Sequence, residues 1–201
     1  MIKEEQMRCV GIIGAVALLA GASMALAGVA SATTITSPAG SAYTNVFHAV
    51  STEKIILEGV VKAECDSTIE GSIQSHGAGI TAAGNLTHFT FTNCTKTHGT
   101  TVLAAGTLTI HSDGNSNGTL TSSELQLTVV HTSPFGEVHC IYGTNNTDIG
   151  TLTGTTTTGG NALIHATAVI PTLAGSDFIC GATAELKGTY RVTTPAALIV
   201  D

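Results

Sequence analysis

The sequence of 201 residues predicts an all-β protein: a disulfide-stapled sandwich or jelly-roll-like domain built from two similar halves. Three observations lead to this fold class. Apolar and polar residues alternate with a period of two in short runs, as in residues 125–129. Glycine, asparagine and aspartate separate these runs, as at Asp113-Gly114-Asn115. Threonine is abundant and aromatic residues make up only 4% of the chain, a composition that favours strands and turns over helices.

The strand-like runs cover residues 54–64, 85–92, 100–111, 124–131, 161–170 and 189–200. In the second run, Phe89 and Phe91 share a face with Thr87, and Leu86 falls on the opposite face unless a bulge intervenes. Carbohydrate-binding sites usually need exposed aromatic platforms. The remaining aromatic residues are assigned mainly to the core, which argues against such a site: Tyr43, Phe47, Phe135, Tyr142, Phe178 and Tyr190.

Residues 1–32 are predicted to be a secretion signal. The stretch from Val10 to Ala30 carries no charge, and Ala30-Ser31-Ala32 has the small-x-small form that signal peptidase accepts. A second candidate cleavage site follows Ala27, and the stretch is also long enough to be retained as a membrane anchor. Its alanine and glycine content makes it a weak membrane span. Cleavage is therefore predicted, which leaves residues 33–201 as one secreted β domain without a membrane attachment.

The charge of the chain excludes some partners. The net charge is −7 at pH 7, and no cluster of lysine or arginine occurs. Nucleic acids and anionic lipid surfaces are bound through clustered positive charge. The sequence therefore predicts no nucleic-acid partner.

Four of the five cysteines, Cys65, Cys94, Cys140 and Cys180, lie in the strand-rich body, outside the predicted signal. No pair has C-x-x-C spacing, and an exported chain meets an oxidising compartment, so structural disulfides are predicted instead of a metal site. The halves, about 33–111 and 112–201, show the same order of cysteine, glycine-rich turn, apolar strand and second cysteine. Sequential pairing, Cys65–Cys94 and Cys140–Cys180, is then the most economical of the three connectivities open to four cysteines.

Several motifs carry a family resemblance. The segments concerned are Thr34 to Gly40, Ser75 to Thr81, Phe89 to Thr95 and Val192 to Pro195. With them the chain resembles an uncharacterised group of secreted, Thr/Gly-rich actinobacterial proteins over nearly the whole of residues 33–201. The strand–Cys–Gly pattern alone is similar to secreted activator proteins of alkane oxidation. The first resemblance implies export and a β fold, and it carries no activity.

Residues Asp113 to Glu124 fit the calcium-loop pattern D-x-[DN]-x-[DN]-G-x5-E at every constrained position. The side chains of Asp113, Asn115, Asn117 and Glu124 and the carbonyl of Thr119 would supply the oxygen ligands. Only two of these groups are charged, so the predicted affinity is weak, about 10⁻⁴–10⁻³ M. The flanking segments have strand character, and these residue types also suit an ordinary hairpin turn, so both interpretations stay open here.

No catalytic constellation follows from the sequence. Residues 114–118 match G-x-S-x-G, but the nucleophile elbow needs a strand-to-helix turn, and no helix is predicted here. The eight histidines form no H-x-H or H-x-x-x-H pair, so no local zinc-binding pair exists. The sequence therefore predicts no enzyme, and calcium is the one cofactor it suggests.

The predicted function is that of a non-enzymatic, secreted or cell-envelope structural or adhesion-type surface protein of a bacterium. Its partner would belong to the cell envelope or the extracellular space. The alternative is a calcium-dependent extracellular ligand-binding module centred on residues 113–124. An exposed, flat sheet face lined by threonine would favour the structural hypothesis, and an open loop with several oxygens turned inward at 113–124 would favour the calcium hypothesis.

Overall fold

The computed structural model describes residues 33–37, 39–74, 82–157 and 159–201. The predicted signal, residues 1–32, lies outside the described residues. Within the described ranges, strands account for nearly all regular structure, and the one helical element is a 3₁₀ turn at Phe178–Cys180. In the same part of the chain, no helix is long and apolar enough to cross a membrane. The all-β prediction is confirmed.

In chain order the strands are β1 (Ile35–Thr36), β2 (Val46–Ser51), β3 (Ile55–Glu58), β4 (Lys62–Gln74), β5 (Ala82–Thr95), β6 (Gly99–Ala104), β7 (Thr107–Ser112), β8 (Asn117–Ser123), β9 (Gln126–Ser133), β10 (Gly136–Gly143), β11 (Thr147–Thr153), β12 (Leu163–Pro171), β13 (Thr183–Thr194) and β14 (Ile199–Val200). Most strands have two to nine residues, whereas β4, β5 and β13 have 13, 14 and 12 residues and are longer than the alternating pattern predicts.

Three runs predicted as single strands are each split: residues 189–200 contain the end of β13 and all of β14, and the other two runs are interrupted by a turn. Residues 54–64 contain β3 and the start of β4, and residues 100–111 contain most of β6 and β7. The second turn depends on Gly106, whose φ of +75° lies in the left-handed region that favours glycine. A turn of two residues leaves the apolar pattern almost uninterrupted. Periodicity alone therefore does not reveal it.

The largest sheet closes on itself. It has nine antiparallel strands in the order β12-β11-β8-β7-β5-β4-β2-β13-β3, and β13 also pairs directly with β12. Strands β2 and β3 both lie between β4 and β13, so they share one position in the ring. This closed sheet has a barrel-like shape, whereas a jelly roll would have two facing open sheets. Closure leaves the ring without a free edge, which removes a site for unwanted strand pairing.

Alternation along each strand fills the interior of the closed sheet. On β4, Ile69 and Ile73 point inward and are at most 7% exposed, while Asp66 and Glu70 face outward. A bulge at Thr87 in β5 shifts the register between Glu70 and Gly71. This bulge brings Leu86 to the inner face with Phe89 and Phe91, whose ring centroids lie 4.8 Å apart. A bulge was the one condition under which Leu86 was expected to leave the opposite face, and the structure contains this bulge.

A smaller sheet of order β10-β9-β6 packs against the closed sheet. Its inward residues, including Leu127, Val129 and Tyr142, belong to the same buried cluster as the interior of the closed sheet. One edge of this sheet, β10, is covered by residues 172–177. The Leu173 N–H donates to the Ile141 carbonyl (2.8 Å), and the Asp177 N–H donates to the His139 carbonyl (3.0 Å).

Both predicted disulfides are present, Cys65–Cys94 and Cys140–Cys180. They close loops of 29 and 40 residues, for which chain entropy gives a stabilisation of about 3.6 and about 3.9 kcal/mol. The first joins the neighbouring strands β4 and β5, and the second joins β10 to the 3₁₀ turn. The predicted halves 33–111 and 112–201 share one closed sheet, with β7 beside β8 and β13 beside β2. The halves are therefore not separate folding units.

Candidate functional site

The structure does not bring the five predicted calcium ligands together. Asp113 and Asn115 lie in the hairpin turn between β7 and β8, and Asn117 begins β8. Strand β8 then runs extended to Ser123, so Glu124 lies at its far end. Seven residue steps of an extended strand span about 23 Å, several times the diameter of a calcium coordination shell. The twelve-residue calcium loop is therefore not formed. The sequence matches the motif, but the structure lacks the compact loop that the motif requires.

Several oxygens of the hairpin turn already have hydrogen-bond partners. Asp113 Oδ1 accepts the N–H of Asn115 (2.7 Å), and Asn117 Oδ1 accepts the N–H of Gly154 (3.1 Å). The side-chain amide of Asn117 donates to the Asn115 carbonyl (3.0 Å). Thr119 lies within β8, opposite His111 and Thr151. These residues form an aspartate- and asparagine-stabilised turn, the interpretation that the sequence also allowed.

No other metal site is evident in the described part of the chain. Across residues 33–37, 39–74, 82–157 and 159–201, no three His, Cys, Asp or Glu side chains lie close enough together to hold a metal ion. The interior of the closed sheet is also nearly filled. Two apolar cavities there have volumes of about 20 and 30 Å³, and Leu108, Leu120 and Ile164 line both of them. Each has room for about one water molecule, so neither holds an organic ligand without rearrangement.

The most unusual surface feature is a groove between two exposed phenylalanines. Phe135 occupies the tip of the β9–β10 hairpin, and Phe178 begins the 3₁₀ turn. They are 100% and 99% exposed, whereas Phe47 and Phe89 in the closed sheet are 5% and 8% exposed. The groove has a volume of about 310 Å³. The residues that line this Phe135–Phe178 groove are Ser133, Phe135, Gly136, Glu137, Val138, Asp177, Phe178 and Ile179.

Covalent and hydrogen bonds hold the two sides of the groove in place. The Cys140–Cys180 disulfide joins β10 to the 3₁₀ turn that carries Phe178, and both cysteines are fully buried. Asp177 Oδ2 accepts the N–H of His139 (2.7 Å), and the Asp177 N–H donates to the His139 carbonyl (3.0 Å). On the other side, Ser133 Oγ accepts the N–H of Phe135 (3.2 Å) and fixes the hairpin tip. The backbone on both sides is therefore ordered before any partner binds.

The charged groups that line the groove are acidic. Glu137 and Asp177 line it, and no lysine or arginine does. His139 lies beside them, with its Nε2 3.5 Å from Glu137 Oε2. Glu137 and His139 keep 60% and 49% of their side-chain surface exposed, so a molecule in the groove can reach them.

A second feature of the outer surface is a threonine-lined face on three neighbouring strands. Each strand contains Thr-Leu-Thr, at residues 107–109 of β7, 119–121 of β8 and 151–153 of β11. The central leucines are at most 6% exposed, so the threonines point outward. Thr109 lies opposite Thr121, and Thr119 lies opposite Thr151. The face is regular and uncharged apart from Asp148 at its edge, whose Oδ1 accepts the Thr121 hydroxyl (3.0 Å).

Of the six aromatic residues assigned mainly to the core, Phe135 and Phe178 are the two that lie exposed on the surface. Phe47, Tyr142 and Tyr190 are buried as expected. One sequence signal was available for Phe135, because it follows Pro134 and precedes Gly136, residues typical of a turn. Phe178 offers no comparable signal, since its exposure depends on the disulfide and on the packing of β10.

No protein-family model, curated protein or solved structure matches this chain.

Proposed function

We propose that this chain is a non-enzymatic, secreted or cell-envelope surface protein of structural, adhesion type, and that it contacts its partner through the Phe135–Phe178 groove. The observation that carries the proposal is the almost complete exposure of two phenylalanines, from the β9–β10 hairpin and the 3₁₀ turn, that line one groove in a chain with only five phenylalanines. Exposed apolar patches bordered by polar groups are typical of interaction sites.

The energetics support an interaction site over a folding role. An exposed phenyl ring contributes no burial energy to folding, whereas a partner that covers both rings would gain about 3–6 kcal/mol from the removal of apolar surface from water. The disulfide and the hydrogen bonds to Asp177 limit the motion that binding would have to arrest. Preorganisation of this kind raises affinity because less conformational entropy is lost on binding.

The location outside the cell is supported by the disulfides. Two disulfides indicate that the chain folds in an oxidising environment. The uncharged stretch before residue 33 supplies the export signal in this proposal. The threonine-lined face on β7, β8 and β11 supports the structural hypothesis through its exposed threonines, and it forms part of the closed sheet. The calcium-dependent alternative lacks such support, because Glu124 lies far from Asp113.

The test compares the wild-type chain, expressed in full in its bacterial host, with two double variants. One, Phe135→Ser/Phe178→Ser, removes both rings. The matched control, Leu103→Ser/Val169→Ser, removes two other exposed apolar side chains, which are 57% and 56% exposed. The measurement is the amount of protein in the culture medium, the envelope fraction and the cytoplasm, with the N-terminal residue of the exported form identified by mass spectrometry.

We expect the wild type and the control to be exported and retained on the envelope, and the phenylalanine variant to be exported and released into the medium. Retention of all three proteins to the same extent would refute the role of the groove. Accumulation of the wild type in the cytoplasm would refute export.

A further inference from the structure

The groove combines aromatic faces with negative charge, and this combination selects a class of partner. Phe135 and Phe178 present ring faces to solvent, and the carboxylates of Glu137 and Asp177 line the same groove. A cation placed against a phenyl ring is attracted by the negative face of the ring. A carboxylate beside the ring attracts the same cation. A neutral ligand would benefit from the rings alone.

The charge distribution of the whole chain acts in the same direction. The net charge is −7, and the described basic side chains are Lys54, Lys62, Lys96, Lys187 and Arg191, none of which lines the groove. A negatively charged protein repels a second copy of itself and attracts cationic partners over distances of about one Debye length. Self-association through the groove would bring four carboxylates together, two from each copy. Charge complementarity therefore favours a basic partner over a second copy.

The carboxylate of Asp177 has a fixed position in the groove. Asp177 Oδ2 accepts the N–H of His139 (2.7 Å), so the carboxylate is held at the start of the 3₁₀ turn, in the residue that precedes Phe178. Glu137 lies across the groove on β10, next to the hairpin that carries Phe135. Each of the two segments that line the groove thus carries one phenylalanine and one carboxylate within two residues of each other. Guanidinium groups suit this arrangement because they stack on aromatic rings and form ion pairs with carboxylates.

We infer that the Phe135–Phe178 groove binds an arginine-bearing, partly apolar peptide segment of a protein partner. The inference rests on the proposed function, because it specifies the chemistry of the partner that the groove contacts. Arginine side chains enter between ring and carboxylate on each side, and apolar side chains of the segment cover the remaining ring surface.

The test uses two synthetic peptides that differ only in charge. The first is acetyl-Gly-Leu-Arg-Gly-Arg-Leu-Gly-amide, and the second has citrulline, which is uncharged and nearly the same shape, at both arginine positions. Binding to the purified, ¹⁵N-labelled protein is followed through the amide resonances of residues 133–138 and 177–179. N-acetylchitotetraose serves as a neutral sugar probe, and a dilution series by analytical ultracentrifugation reports self-association.

We expect the arginine peptide to shift these resonances saturably and to bind about tenfold more tightly than the citrulline peptide, a difference equivalent to about 1.4 kcal/mol. The advantage should shrink when the salt concentration rises from about 0.15 to about 0.5 M, because exposed ion pairs are screened. In the variant Glu137→Gln/Asp177→Asn, the arginine peptide should bind as weakly as the citrulline peptide. Asparagine at 177 keeps an acceptor for the His139 N–H, so the backbone of the groove is preserved.

Equal affinity for the two peptides would overturn the inference, as would unchanged binding of the arginine peptide to the Gln/Asn variant. Tighter binding of the sugar, or concentration-dependent dimerisation through the groove, would also overturn the inference, because the groove would then bind a sugar or a second copy instead of the basic segment. A separate result would refute the proposed function: unchanged retention of the Phe135→Ser/Phe178→Ser variant on the envelope. Unshifted resonances outside the groove show in each case that the variant is folded.

Discussion

Two buried tyrosines that differ in hydrogen bonding allow a direct test of the packing described here. Tyr142 on β10 and Tyr190 on β13 are 0% and 1% exposed. The Tyr190 hydroxyl donates to Ser67 Oγ (3.0 Å), and Ser67 is itself 2% exposed. The Tyr142 hydroxyl has no hydrogen-bond partner among the described residues. Burial raises the pKa of both phenols, so both are neutral hydroxyls at pH 7.

The substitution Tyr→Phe at the two positions should therefore have opposite effects. Tyr190→Phe leaves the buried Ser67 hydroxyl without its donor, and an unsatisfied buried group costs about 1–3 kcal/mol. Tyr142→Phe removes a hydroxyl that pays a desolvation penalty without a compensating bond, so the free energy of unfolding should stay constant or rise by about 1–2 kcal/mol. Both variants lose the same single oxygen, and neither creates a cavity that would hold another side chain.

Guanidinium denaturation of the oxidised protein measures both free energies, and equal m-values confirm that the variants unfold from the same native state. In thermal unfolding, 1 kcal/mol corresponds to a shift of about 2–4 °C for a domain of this size. Destabilisation of Tyr142→Phe by as much as Tyr190→Phe would refute the reasoning, because the Tyr142 hydroxyl would then make a stabilising bond, such as one to a buried water molecule.

Three further predictions concern ions, acid and the turns. Glu124→Ala and the wild type should show the same difference in melting temperature between 5 mM calcium and EDTA, because Glu124 and Asp113 lie at opposite ends of β8. A calcium-induced rise in the wild type that Glu124→Ala abolishes would instead support the ion site. The pKa of Asp66 is lowered mainly by the hydrogen bond from the Asn93 side-chain amide and, to a smaller extent, by Lys54. The ionised Asp66 therefore contributes fully to stability above the ordinary pKa near 3.8, and this contribution is lost as the pH falls through the lowered pKa. Asn93→Ala should therefore move the loss of stability in acid titrations toward higher pH, and an unchanged acid limb would contradict this. Gly106→Ala should lower the free energy of unfolding by several times the roughly 1 kcal/mol expected for Gly114→Ala. Both glycines have positive φ, but only the new Cβ at 106 collides with the backbone of Ser123 and Leu125. Equal losses in chemical denaturation would show that the turn at 106 relaxes.

The sequence by itself determined the fold class and the cysteine pairing. Alternation of polar and apolar residues is a local property of a strand, so residues 125–129 and 161–170 identify β9 and β12 without knowledge of their neighbours. The pairing of Cys65 with Cys94 and of Cys140 with Cys180 followed from their order along the chain. The strand pattern depends on residues a few positions apart, and the cysteine pairing requires a choice among only three connectivities.

Only the tertiary structure decided the closure of the sheet and the location of the functional surface. Closure requires β13 to pair with both β12 and β2, and a strand pattern does not specify its partners. The predicted calcium loop failed because residues 117–123 form a strand, which separates Asp113 from Glu124 instead of folding them around one ion. Phe135 and Phe178 are apolar residues, for which the core is the ordinary location. Their exposure results from the hairpin tip and the Cys140–Cys180 bridge, which hold both rings on the outer side of a core that is already filled.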